Sequence, residues 1–167
     1  QLNDLNFMLN MDMIGRLNDS TMSLLVYGTG TAPELHNLVL SMNKEFRIKT
    51  DSSGIGPSDH TSFYLKNVPV LHFFTGQHSD YHKPTDDVEK INFEGEQKVL
   101  EYILTLIDSI DKLPRLHFLT TRNAEQAKSS FKVTLGIMPD YAFEGKGLRV
   151  DGVTEGKPAS KAGIIQG

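Results

Sequence analysis

Apolar residues along the chain gather in short runs separated by turn-forming residues. Strands are predicted over residues 7–14, 22–27, 47–50 and 69–74. Helices are predicted over residues 33–43, 60–65 and 93–113. The first and last of these strands show little alternation of apolar and polar positions, which predicts burial on both faces of a sheet. Strands that alternate with helices indicate an α/β layer fold.

A different pattern follows residue 113. Residues 114–129 are polar, with several basic side chains and no clear periodicity, and we interpret them as a linker. Short strands over residues 131–137 and 147–153, followed by a short helix over 158–162, predict a small β-rich module. The chain starts at Gln1, just before a core strand, and stops shortly after that last helix. We therefore expect it to be cut from a longer protein.

Composition narrows the possible functions. The chain has 167 residues, of which 38% are hydrophobic and 23% are charged, as expected for a globular protein with a core. Its formal net charge of −4 and the lack of a basic stripe argue against nucleic acid as a partner. The absence of cysteine excludes disulfides and cysteine-ligated zinc. No apolar run approaches the roughly 18 residues that a membrane span requires.

Ionisable residues concentrate in predicted loops and at strand ends. Asp12 ends the first strand, and His82 lies in the loop after the strand over residues 69–74. Because functional groups collect at the carboxyl ends of strands in α/β sheets, the two side chains could meet at one edge. A carboxylate and a neutral imidazole suit zinc. Tyr81, beside His82, could donate a hydrogen bond to a developing oxyanion.

Simpler interpretations remain open for the same residues. Asp12 could cap a turn, and Asp59 could cap the helix that starts at His60, because aspartate is a favoured N-cap residue. His78 and His82 could be exposed loop histidines. Two candidate ligands do not make a metal site, so spacing alone leaves these alternatives undecided.

Four segments, taken together, resemble a known family. They are residues 10–15 (NMDMIG), 56–63 (GPSDHTSF), 69–74 (PVLHFF) and 80–87 (DYHKPTDD). In this order they resemble the second half of the zinc-dependent aminopeptidases with a co-catalytic pair of zinc ions, metallopeptidase family twenty-eight. The resemblance covers roughly residues 1–112. It implies that residues 1–113 are the C-terminal half of a three-layer α/β sandwich of the zinc exopeptidase (phosphorylase/hydrolase-like) type.

The resemblance also implies a function. It implies hydrolysis of N-terminal peptide bonds by zinc-activated water, with two zinc ions in the full-length protein and a secreted or periplasmic location. Asp12 and His82 match metal ligands, and Tyr81 matches a tyrosine that stabilises the tetrahedral intermediate. Asp59 matches an acidic residue that supports the ligands, and His60 is expected to be structural. The remaining ligands and the glutamate general base are expected ahead of Gln1, so we expect the isolated chain to be inactive.

From residue 131 onward the chain resembles the bacterial PDZ module, which implies a partial PDZ-like domain over residues 130–167. Leu135, Gly136 and Ile137 would form the loop whose backbone amides hold a peptide C-terminus. A generic β module with a glycine turn is the alternative interpretation.

Two other functions are compatible with these segments. Glutaminyl cyclases share the fold and an Asp-His…Pro-Val-Leu-His pattern, but they typically carry a tryptophan where this chain has Tyr81, and the chain contains no tryptophan. The other alternative is a non-catalytic scaffold that binds peptides through the PDZ-like module.

Overall fold

The computed structural model describes residues 4–121, 134–139 and 146–167. The chain divides into two compact units, Gln1–Ala127 and Lys128–Gly167. Within the described residues, no helix combines the length and apolar character needed to cross a membrane.

The first unit is built on a four-stranded mixed sheet. Its strands are β1 (Met8–Asp12), β2 (Ser23–Tyr27), β3 (Arg47–Asp51) and β4 (Val70–Phe74), in the order β1-β4-β2-β3. Strand β1 is parallel to β4, β2 is parallel to β3, and β2 runs antiparallel to β4. Asp12 therefore lies beside Phe74, at the edge of the sheet from which the loop after β4 departs.

Helices cover the sheet and supply the rest of the core. They are α1 (Leu35–Ser41), α2 (His60–Tyr64) and α3 (Phe93–Asp111), with 3-10 turns at Ile14–Arg16 and Val88–Lys90. The side chain of Asn92 caps α3 by accepting a hydrogen bond of 2.9 Å from the Gly95 amide. Val99, Ile103 and Leu106 of α3 are buried in the core. Burial of this apolar stripe is the main stabilisation of the long helix.

All seven predicted elements of the first unit are confirmed, and no predicted end differs from the observed one by more than two residues. The predicted burial of β4 on both faces is correct, since all five of its residues are buried. The same prediction for the first strand is wrong. Among the described strands β1 lies at the edge of the sheet; its first three residues are half-buried and Met11 is 45% exposed. An apolar run does not distinguish a fully covered strand from one with a single neighbour.

The segment after α3 has no helix or strand in its described part, yet it is bound to the first unit. Leu116 is buried and its amide donates a hydrogen bond of 2.8 Å to the Asn6 side chain. The Thr121 amide donates a bond of 2.8 Å to the Tyr64 hydroxyl. Residues 114–121 therefore pack as part of the unit, while 122–129 of the predicted linker lie outside the described residues.

The second unit contains a two-stranded antiparallel sheet and a short helix. These are β5 (Ile137–Pro139), β6 (Val150–Val153) and α4 (Pro158–Lys161). The predicted helix is confirmed. The prediction that a strand ends at Ile137 is wrong in its described part, because β5 starts there. Gly136 has φ +73°, and a Cβ on it would lie 2.3 Å from Lys157 Cβ, so the chain turns at this glycine before the strand begins.

Candidate active site

Asp12 ends β1 with its carboxylate exposed and bound to a residue far away in sequence. Its Oδ2 atom accepts a hydrogen bond of 3.1 Å from the hydroxyl of Ser58, which lies just before α2. The next residue, Met13, has φ +54° and turns the chain sharply into the first 3-10 turn. A bond across 46 positions is not a local turn cap, so the bond in the structure does not support the capping alternative for Asp12.

Behind Asp12, hydrogen bonds continue into the sheet. Asn10 shares a face of β1 with Asp12, because side chains two apart on a strand point the same way. Its amide nitrogen lies 2.7 Å from Ser58 Oγ and 3.0 Å from His72 Nδ1, on the adjacent strand β4. The amide nitrogen can only donate, so Nδ1 of His72 accepts and the proton of the neutral ring lies on Nε2. A continuous chain of polar groups thus supports the Asp12 carboxylate.

His72 and His60 form a stacked, buried pair beneath that chain. Their ring centroids are 4.5 Å apart and their planes differ by 7°. His60 is fully buried, and neither of its ring nitrogens has a hydrogen-bond partner among the described residues. Burial lowers the pKa of both rings, and repulsion from His60 contributes to lowering the pKa of His72 to about 4. Both rings are therefore neutral at neutral pH.

Asp59 occupies the position that precedes α2. Its side chain is exposed and makes no capping hydrogen bond to the helix, so the N-cap interpretation is not supported. The residue that contacts Asp12 is Ser58, one position earlier. The supporting role of Asp59 stays a prediction.

Tyr81 and His82 lie in the loop after β4. Their ring centroids are 4.0 Å apart, and the planes are tilted by 52°. His82 is exposed and adopts φ +53°, a conformation uncommon for residues other than glycine. At the start of the loop, the Thr75 hydroxyl donates a short hydrogen bond to the carbonyl of Met13, which joins this loop to the segment after Asp12.

The same loop carries a network of charged residues centred on Asp80. Its carboxylate accepts hydrogen bonds from Arg16 at 2.7 Å, Thr85 at 2.8 Å and Lys90 at 2.5 Å. Arg16 also donates to Asp86 at 3.1 Å. The hydrogen bonds from Lys90 and Thr85 are the main reason that the pKa of Asp80 is held well below its usual range.

Asp12 and His82 have donor types that suit zinc, and both are exposed. Among residues 4–121, 134–139 and 146–167, however, no three histidine, aspartate or glutamate side chains are grouped so that they could hold a metal ion. No described hydrogen bond or ion pair joins Asp12 to His82. The donor atoms of these two residues suit zinc, but a catalytic zinc site takes about three protein ligands.

The sequence matches the family model "Peptidase family M28" over residues 1–107. The chain belongs to peptidase family M28. This confirms the family named by the four motifs, and it indicates a peptidase. A search of the curated proteins found no match.

The M28 chain is also similar in fold to the crystal structure of the LapA aminopeptidase of Legionella pneumophila. The TM-score is 0.52 and the sequence identity is 19%, over 64% of this chain and 31% of that chain. The match thus spans about a third of the length of LapA. At this identity the likeness concerns the fold alone, and it confirms the prediction of an α/β fold resembling part of an aminopeptidase domain.

Four residues of the candidate site were not predicted from the sequence: Asn10, Arg16, Ser58 and His72. His72 offered a signal, since it interrupts an otherwise apolar strand. A polar residue at such a position requires a buried partner. Asn10 offered the same signal, because it interrupts the apolar run of residues 7–14. Ser58 and Arg16 offered none, because their roles depend on which strands and loops become neighbours.

The predicted peptide-binding residues lie in the second unit. Leu135 is exposed, and its carbonyl accepts a hydrogen bond of 2.9 Å from the Ala159 amide at the start of α4. The Gly136 amide donates a bond of 3.2 Å to the Thr134 hydroxyl. Ile137 begins β5. A carboxylate would compete with Thr134 for the Gly136 amide.

Proposed function

We propose that the intact protein containing this chain is a zinc metallo-aminopeptidase that hydrolyses N-terminal peptide bonds. Membership of peptidase family M28 over residues 1–107 is the observation that carries the proposal. The exposed carboxylate of Asp12 at the carboxyl end of β1 supports it, because catalytic groups of α/β sheets collect there. In this proposal the chain supplies one wall of the active site. The intact protein binds two zinc ions, and it is secreted or periplasmic.

Each proposed residue has a distinct task. Asp12 and His82 are ligands of the metal centre. Bound zinc would supply Lewis acidity toward the scissile carbonyl and lower the pKa of a water molecule to about 7. Ser58 donates to Oδ2 of Asp12 and so fixes the rotation of that carboxylate, as outer hydrogen bonds of metal ligands commonly do. Tyr81 donates a hydrogen bond to the oxyanion that develops during attack.

Hydrolysis of leucine p-nitroanilide by the intact protein tests the proposal. We expect a chelator to abolish activity and added zinc to restore it. Asp12→Asn and His82→Gln should each lower kcat/KM by at least about a hundredfold. Mutation of a residue that only supports a ligand typically costs about 10–100-fold, so loss of a ligand itself should cost no less. Matched controls are Asp111→Asn and His36→Gln, which change exposed residues at the end of α3 and on α1. Full activity of either site variant would rule out its ligand role.

The alternative functions predict different results when the intact protein is given the nitroanilide and, separately, a peptide with an N-terminal glutamine. A glutaminyl cyclase would leave the nitroanilide intact and cyclise an N-terminal glutamine peptide. A scaffold would do neither. Binding of a peptide C-terminus by Leu135, Gly136 and Ile137 is a separate proposal. It predicts that a labelled peptide with a free carboxylate binds to the protein, while the same peptide with an amidated C-terminus does not.

A further inference from the structure

We infer that Arg16 is a positioning residue. It fixes the loop that bears Tyr81 and His82 in its position relative to Asp12. The inference rests on the proposed function, because it assumes that Asp12 and His82 act at one site. Arg16 follows Asp12 by four positions, and its guanidinium reaches two carboxylates of the loop.

The Asp12 side of this link is rigidly held. Arg16 ends the 3-10 turn Ile14–Arg16, in which Ile14 is buried in the core. The carbonyl of Gly15 accepts a hydrogen bond of 2.8 Å from the amide of Asn92, the residue that caps α3. The backbone of Arg16 is therefore tied both to the core and to the start of the longest helix.

The loop side is held at two points that flank the proposed ligand. Asp80 precedes His82 by two positions, and Asp86 follows it by four. Arg16 donates to Asp80 at 2.7 Å through one terminal nitrogen and to Asp86 at 3.1 Å through the other. The Lys83 amide also donates to the Asp80 carbonyl at 2.8 Å, which folds the loop back on itself. One side chain thus joins both ends of the turn that presents His82.

The shape and burial of the side chain explain why the link requires arginine. A guanidinium is a planar fork with five donors, whereas an ammonium is a point charge without directional pairing. The Arg16 and Asp80 side chains are only 15% and 14% exposed, so solvent and salt screen the pair less than a surface ion pair. Thr85 and Lys90 saturate the other oxygen of Asp80. Lysine at position 16 could satisfy one carboxylate at a time.

Two measurements on the intact protein test the inference. The first is hydrogen exchange of the backbone amides of residues 78–83 and 85–87, since Pro84 has no amide hydrogen. Arg16→Ala should accelerate their exchange at least about tenfold while core amides of α3 keep their protection, because loop openings are local. The second is zinc affinity, which Arg16→Ala should weaken about 10–100-fold. Arg16→Lys should give an intermediate effect on both. Arg47→Ala, at an exposed position that begins β3, is the matched control and should change neither.

The outcomes separate this inference from the proposed function. Unchanged exchange of the loop in Arg16→Ala would overturn the link itself. Faster loop exchange with zinc affinity within about twofold of the wild type, in a protein whose zinc binding depends on Asp12, would overturn the positioning role. If Asp12→Asn leaves zinc binding intact, the proposed ligand role fails, whatever the exchange result. Should Arg16→Ala not fold, the exchange and affinity of Arg16→Lys decide the question in the same way.

Discussion

Acid should destabilise the folded protein through His72, and the size of the effect follows from its burial. His72 is 5% exposed, and its pKa falls from 6.5 to about 4 on folding, mainly because burial disfavours the charged ring. Between these two values the unfolded chain binds a proton that the folded protein does not. Stability is therefore complete above pH 6.5 and falls as the pH is lowered toward about 4.

The fall of the His72 pKa from 6.5 to about 4 corresponds to about 3 kcal/mol of stability, since one pKa unit is worth about 1.36 kcal/mol. That is a large share of the roughly 5–15 kcal/mol that stabilises a typical domain. Burial lowers the pKa of His60 as well, so its contribution has the same sign. Below about pH 4 the contribution of His72 to the pH dependence should level off, because the ring is then protonated in both the folded and the unfolded protein.

Urea unfolding followed by far-UV circular dichroism, at intervals between about pH 7 and pH 4, measures the effect. We expect His72→Phe to be less stable than the wild type at neutral pH, because Asn10 loses a partner. The variant should also lose less stability on acidification, by about 3 kcal/mol. His36→Gln, which changes an exposed histidine on α1, should keep the wild-type dependence. If His72→Phe shows the same pH dependence as the wild type, the buried neutral ring is not its cause.

Further predictions concern the core. Gly28→Ala should destabilise the protein by at least about 2 kcal/mol in the same urea assay, because Gly28 has φ +81° and a Cβ would lie 2.2 Å from the Val70 carbonyl oxygen. A loss below about 0.5 kcal/mol, typical of an exposed surface change, would contradict this geometry. Tyr102→Phe should cost about 1–2 kcal/mol, because the buried hydroxyl donates a hydrogen bond of 2.6 Å to the Val39 carbonyl. An unchanged urea midpoint would show that water replaces that bond.

The elements of the first unit were predictable because their signals are local. The apolar repeat of α3 and the continuous apolar run of β4 each identify an element without knowledge of its neighbours. The exposure of β1 was not predictable in the same way. It depends on the strand order β1-β4-β2-β3, in which β4 is the single neighbour of β1 among the strands that the structure describes.

The candidate site likewise contains residues that local sequence signals predict and residues that they do not. Asp12 and His82 are predictable because functional groups gather at strand ends and because four motifs occur in the order typical of the family. The residues that support them were not predictable from the sequence. The Ser58 hydroxyl donates a hydrogen bond to Asp12 across 46 positions, and the Arg16 guanidinium donates one to Asp80 across 64. Such contacts depend on strand register and loop packing. A short segment contains no information about either strand register or loop packing.

If the proposed function is correct, Asp12 and His82 bind the same metal centre. Crystals of the intact protein grown with zinc, with diffraction recorded at the zinc absorption edge, would test it most directly. We expect anomalous peaks about 2.0–2.2 Å from an Asp12 carboxylate oxygen and about 2.0–2.1 Å from a ring nitrogen of His82. Zinc bound elsewhere, with both side chains more than about 3 Å from every peak, would contradict the ligand assignment and the function built on it.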